Sequence, residues 1–170
     1  MKLTAIEIIA DKGKYVARKG TDNYFTRGTL LKGETLEDFV EVDTLPSAKL
    51  GEAKSKKKAE ITAYDTSSEV NSFSLQGQEM WLPKETRVGL ANSIRIEQAA
   101  GKEETTLWYG GVCYQLEIHA ALQMLAALEL YALECYNATH RHLAEVEALT
   151  TVEEVEGYDF KMDYPEKLSL

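Results

Sequence analysis

Apolar positions change their spacing along this chain, and each spacing predicts a different kind of element. The first 45 residues carry short β-branched and aromatic runs at 3–9, 15–17 and 24–31, broken by Lys12-Gly13 and Lys32-Gly33, which predicts a small β-rich unit. Residues 34–42 predict a short helix or turn with Leu36, Phe39 and Val40 on one side, ended by Pro46. Residues 46–58 hold few large apolar groups and the run Lys54-Ser55-Lys56-Lys57-Lys58, so they predict a Lys-rich linker. The stretch 61–64 reads as a strand or as the end of that linker.

Beyond the linker the pattern is hairpin, helix, hairpin, long helix. Phe73-Ser74-Leu75 and Met80-Trp81-Leu82 flank Gln76-Gly77, so a two-residue turn there pairs Phe73 with Met80. Pro83 suits a first helical turn, and Thr86, Leu90, Ile94 and Gln98 repeat at helical spacing, with Val88 and Ala91 beside them and Gly101 as the stop. The alternation Ile94-Arg95-Ile96 competes as a strand. Residues 105–109 and 112–118 flank Gly110-Gly111, the clearest hairpin signal in the chain, which pairs Tyr109 with Val112 and Leu107 with Tyr114. Leu107, Tyr109, Val112, Tyr114 and Leu116 then share an apolar face, while Thr106, Trp108, Cys113, Gln115 and Glu117 share the other.

Residues 119–149 contain no Gly or Pro and predict the main helix. From 122 to 136 it is apolar almost all round: Leu122, Met124, Leu125, Leu128, Leu130, Tyr131, Leu133 and Tyr136. A helix at the edge of one small domain needs a single apolar stripe, so the surplus implies a helix central in its core or shared with another chain. After Asn137 it turns one-sided, with Leu143, Val146 and Leu149. Thr151 and Glu154 have capping-box spacing for a short further helix ended by Gly157. The tail 158–170, with Phe160, Met162, Tyr164, Leu168 and Leu170, is too apolar to hang free. The fold class is therefore α+β: a β-rich unit over 1–45, a linker over 46–58, and an α+β domain over 59–170.

Charge sharpens the division. The chain of 170 residues carries a net charge of −9. Residues 1–58 hold 12 Lys/Arg against 9 Asp/Glu, and residues 59–170 hold 7 against 19. The acidic balance argues against general binding to nucleic acid or to anionic membranes. The competing reading of the lysine run, a phosphate-binding patch, lacks interleaved aromatics. No leader of the secretory kind is read at 3–10, which is short and contains Glu7, and no apolar run reaches the ~20 residues of a membrane span. The expected site of synthesis is a cytoplasm.

Candidate chemistry is sparse. Cys113 and Cys135 read as small buried apolar residues, with no spacing that suggests a disulfide. His140 and His142 sit roughly 200° apart on a helix and cannot share a metal from one face. His142 with Glu145 reads as an exposed i,i+3 pair, and His119 as a boundary residue. Glu103-Glu104 and Glu153-Glu154 fit a turn and a first helical turn. No glycine-rich phosphate loop is present. No catalytic, cofactor-binding or metal residue emerges, and the expectation is a protein that is not an enzyme. Trp81 and Trp108 read as core anchors or as interface hot spots.

One ordered block points further. It runs F-S-L-Q-G-Q-E-M-W-L, T-R-V-G-L-A-N-S-I, A-A-G-K-E-E-T-T-L-W, the apolar helix, then T-V-E-E-V-E-G-Y-D. This order resembles a domain of unknown function found in phage and prophage tail-module proteins. The positions that carry the resemblance are Phe73, Gly77, Trp81, Arg87, Ile94, Ala100, Gly101, Thr106, Trp108, Tyr136, Thr151, Val152 and Val155. The ending G-Y-D-F-K-M-D-Y-P-E-K-L is similar to a variant from Bacteroidetes phage and prophage genomes. The sequence departs from the pattern at Trp81-Leu82-Pro83 and in the apolar stretch 122–136, and residues 1–58 lie outside it. The resemblance favours the helix over the strand at 94–96, and it brings no enzymatic activity with it. It implies a structural tail- or fibre-associated adaptor made in a bacterial host cytoplasm and carried in the virion, with other phage structural proteins and further copies of itself as partners. Trp81, Trp108, Met124, Leu130, Tyr131, Leu133, Phe160 and Tyr164 are the expected partner contacts. A tail-fibre assembly chaperone absent from the mature particle is the alternative, and a small enzyme the third.

Overall fold

The computed structural model describes residues 2–4 and 7–170, with side chains from residue 7 onward. It is α+β, as the hydrophobic pattern predicts, with ten short strands and four α-helices among the described residues. The chain divides into two compact units, residues 1–56 with 150–156 and residues 57–149 with 157–170.

In the first unit, β1 (Lys2–Thr4), β2 (Glu7–Ile9) and β5 (Arg27–Thr29) form one antiparallel sheet in the order β1-β2-β5. β4 (Tyr24–Phe25), β3 (Tyr15–Arg18) and β6 (Phe39–Val42) form another in the order β4-β3-β6. The centre of the strand expected at 3–9, residues 5 and 6, lies outside the described residues. The run 24–31 is two strands in different sheets, because the chain changes sheet between Phe25 and Arg27. Gly28 makes this crossing fit: a Cβ there would stand 2.5 Å from the Phe25 ring. That ring meets Phe39 edge-on at 6.4 Å, beside the buried Ile8 and Val16. The short helix or turn expected at 34–42 is a 3-10 turn at Leu36–Asp38. β6 follows it, since Phe39 is buried while Leu36 and Val40 face solvent.

The segment read as a linker is helical. α1 runs Pro46–Asp65, which also replaces the strand or linker expected at 61–64. It lacks an apolar stripe, and Ile61 is its one buried residue. It forms nonetheless because Ala, Lys and Glu dominate it and Pro46 opens it, where proline costs nothing. Ser55 and Thr62 each donate a side-chain hydrogen bond to the carbonyl four residues back.

The second unit follows its pattern closely. β7 (Phe73–Leu75) pairs with β8 (Gln78–Met80) in the expected register, Phe73 opposite Met80. Gln76 and Gly77 both take positive φ, as a tight hairpin turn requires. α2 (Lys84–Ala99) starts after Pro83 and stops at Gly101, whose φ is +81°. β9 (Glu104–Tyr109) and β10 (Val112–Glu117) pair with Tyr109 opposite Val112 and Leu107 opposite Tyr114. α3 (Ile118–Ala148) is the longest element, and α4 (Val152–Gly157) begins at the predicted capping box. There Thr151 accepts from the Glu154 amide, and Glu154 accepts from the Thr151 amide.

Phe73, Leu75, Met80, Leu82, Ile94, Leu107, Tyr114, Leu125 and Leu128 pack into the core of this unit. The tail closes it. Leu168 and Leu170 exchange backbone hydrogen bonds with Ser74 and Gln76, so the tail runs parallel to β7. By length and composition α3 is apolar enough to cross a membrane. One side of it is nonetheless the core of its own unit, from Ile118 through Leu128 to Cys135.

Candidate interaction surface

α3 carries two opposite faces. Ala121, Met124, Leu125, Leu128, Tyr131, Cys135, Ala138, His142 and Val146 are buried. On the other side Leu130 is 63% exposed, Leu133 54% and Tyr136 58%. These three are the surplus that the sequence places on this helix. The Tyr136 ring lies 4.1 Å from the ring of His140, one turn on.

The eight expected contact residues divide. Leu130, Leu133 and Trp108, the last 68% exposed, are open to a partner. Trp108 stands opposite the exposed Cys113 on the outward face of the β9–β10 hairpin. Met124 and Tyr131 are instead buried within the unit. The Tyr131 hydroxyl donates to the Val70 carbonyl at 2.8 Å, and burial pushes its phenol up from the usual range. The uniform apolar run around them hid which residues faced inward. Trp81 is half-buried: its ring meets Tyr131 edge-on at 6.3 Å, and the Arg87 guanidinium sits 5.3 Å from its centre. Arg87 itself is buried, donating to Glu129 at 2.8 Å and to the Leu82 carbonyl at 2.7 Å. Phe160 and Tyr164 are half-buried, both edge-on to Tyr64.

His142 overturns its sequence reading as one of an exposed pair, being 2% exposed. Its Nε2 donates to the Met162 carbonyl at 2.9 Å, and its Nδ1 lies 2.6 Å from the Tyr158 hydroxyl. Tyr158 in turn donates to Glu145, and its phenol is pushed up by burial and by that carboxylate. The His142 ring also stacks on Tyr164 at 5.6 Å. These contacts fasten the tail to α3. Sequence could not reveal them, because Tyr158, Met162 and Tyr164 lie more than four helical turns further along the chain. Thr139 joins the same cluster, donating to Asp65 at 2.7 Å beside the Tyr164 hydroxyl.

Cys135 is buried, and burial raises its thiol, the reverse of an activated nucleophile. Cys113 is exposed, against its reading as a buried residue, because the hairpin turns it outward. Both cysteines are free. Among the described residues no group of three His, Cys, Asp or Glu side chains is placed to hold a metal ion. Lys57 and Lys58 of the lysine run sit beside Glu60 and Glu147. The clefts are open and modest. One of about 480 Å³ lies between α3 and the tail at Glu134, Asn137, Arg141 and Asp163. Another of about 270 Å³ lies between α2 and α3 at Val88, Arg95, Leu122 and Ala126.

No protein-family model, curated protein or solved structure matches the chain.

Proposed function

We propose that this chain is a structural protein of a phage or prophage tail, an adaptor that docks a fibre or neighbouring tail component by protein–protein binding. The observation that carries the binding reading is the solvent face of α3, where Leu130, Leu133 and Tyr136 stand more than half exposed on a helix whose other face is core. Fully burying one such side chain is worth roughly 1.5–3 kcal/mol, so this face rewards a partner that covers it. Trp108 on the β9–β10 hairpin adds a second exposed anchor of the type enriched at interfaces. The resemblance of residues 73–159 to tail-module proteins supports the virion setting.

Quantitative mass spectrometry of purified particles from a host that produces this chain tests the proposal. The expected result is the chain at a fixed copy number per particle, lost when Leu133→Glu is introduced. A chain abundant in the lysate and missing from particles would replace this reading with the assembly chaperone.

A further inference from the structure

Ala126, Leu130, Leu133, Asn137, His140 and Ala144 follow one another along α3 at spacings of four and three residues, and all six are exposed. That is the spacing of a seam between two helices. Flanking it, seven residues apart and therefore on one side, are Glu134 and Arg141. Among the described residues Glu134 makes no hydrogen bond or ion pair. Arg141 makes one long contact, 3.4 Å to the Asp163 carbonyl. An acid and a base with little to hold them thus border an uncovered strip, apolar at Leu130 and Leu133 and polar at Asn137 and His140.

Their order selects the occupant. In a parallel, in-register pair of α3 helices each Glu134 would lie beside the partner's Glu129, a carboxylate that Arg87 already holds, and no ion pair would form there. In an antiparallel pair with its two-fold axis midway between Glu134 and Arg141, each Glu134 faces the Arg141 of the other copy, and two ion pairs form. The same axis passes beside Asn137, so the two Asn137 amides meet and can bond each other, the arrangement by which a single polar seam residue fixes register. Leu133 then packs near His140 and Ala144 of the second copy, and Leu130 near Ala144. We propose that α3 binds α3 of a second copy of this chain, antiparallel, with Asn137 at the axis and Glu134–Arg141 pairs on the flanks. The inference rests on the protein-binding reading above and names the partner.

Sedimentation equilibrium on the full chain tests it, using wild type, Glu134→Arg, Arg141→Glu, the double reversal and Leu133→Glu, each checked for fold by circular dichroism. Each single reversal is expected to weaken dimerisation by about tenfold, since two attractive pairs become two repulsive ones. The double reversal restores the wild-type constant to within about threefold, and 1 M salt shrinks the single-variant penalty. Single reversals without effect, or a double reversal as weak as the singles, would overturn the antiparallel register. If Leu133→Glu still abolishes the dimer in that case, the binding face stands and only the register falls. A wild type that stays monomeric overturns the inference and leaves the tail-adaptor proposal to its own test in particles.

Discussion

Leu128 and Leu130 lie two residues apart on α3 and do opposite things. Leu128 is fully buried, whereas Leu130 is mostly exposed. Leu128→Ala should cost about 2–5 kcal/mol in urea unfolding, while Leu130→Ala should stay within about 0.5 kcal/mol at protein concentrations too low for association. The α4 cap supplies a pH test. Backbone amides at Thr150 and Thr151, with the Thr151 hydroxyl, hold the Glu154 carboxyl below its ordinary value. A depressed carboxylate stabilises the fold above its unfolded pKa, and that contribution disappears as pH falls through the folded value. Glu154→Gln should therefore be less stable than wild type near neutral pH, with the gap closing as acid protonates Glu154. A gap that persists unchanged in acid would contradict the capping role. Capping boxes are local, which is why Thr151 and Glu154 were legible in sequence. The burial of His142 was not, because it depends on Tyr158, Met162 and Tyr164 folding back onto α3.

Hairpins and α3 were legible because turn chemistry and apolar spacing agree in them. α1 was not, since a search for apolar periodicity finds nothing where Ile61 alone is buried. Helix propensity, rich in Ala and Lys, carried the information instead. Gly51 tests this element. It lies inside α1, and a Cβ there meets nothing within 4 Å. Gly51→Ala should raise stability by roughly 0.5–1 kcal/mol in thermal or urea unfolding, as expected inside an exposed helix. A loss of stability would show that the residue is not helical. The tail is the second element whose role sequence could only suggest. Removing residues 168–170 deletes three backbone hydrogen bonds to β7 and its turn, along with the packing of Leu168. The second unit should lose about 2–4 kcal/mol, at ~1 kcal/mol per bond plus the leucine.

At the scale of the molecule, the apolar surplus of residues 122–136 resolves into two surfaces. One is the core that closes the second unit, and the other is the uncovered strip from Leu130 to Tyr136. Sequence alone showed that the surplus existed but not how it was shared, because the helix is apolar almost all round there. In the proposed dimer a second copy of the chain covers this strip. The most direct measurement is absolute mass by light scattering across a concentration series, for wild type beside Leu130→Glu and Leu133→Glu. The account predicts a wild-type dimer that dissociates on dilution, and variants that remain folded monomers throughout. Equal masses for all three proteins, with the fold intact, would contradict it.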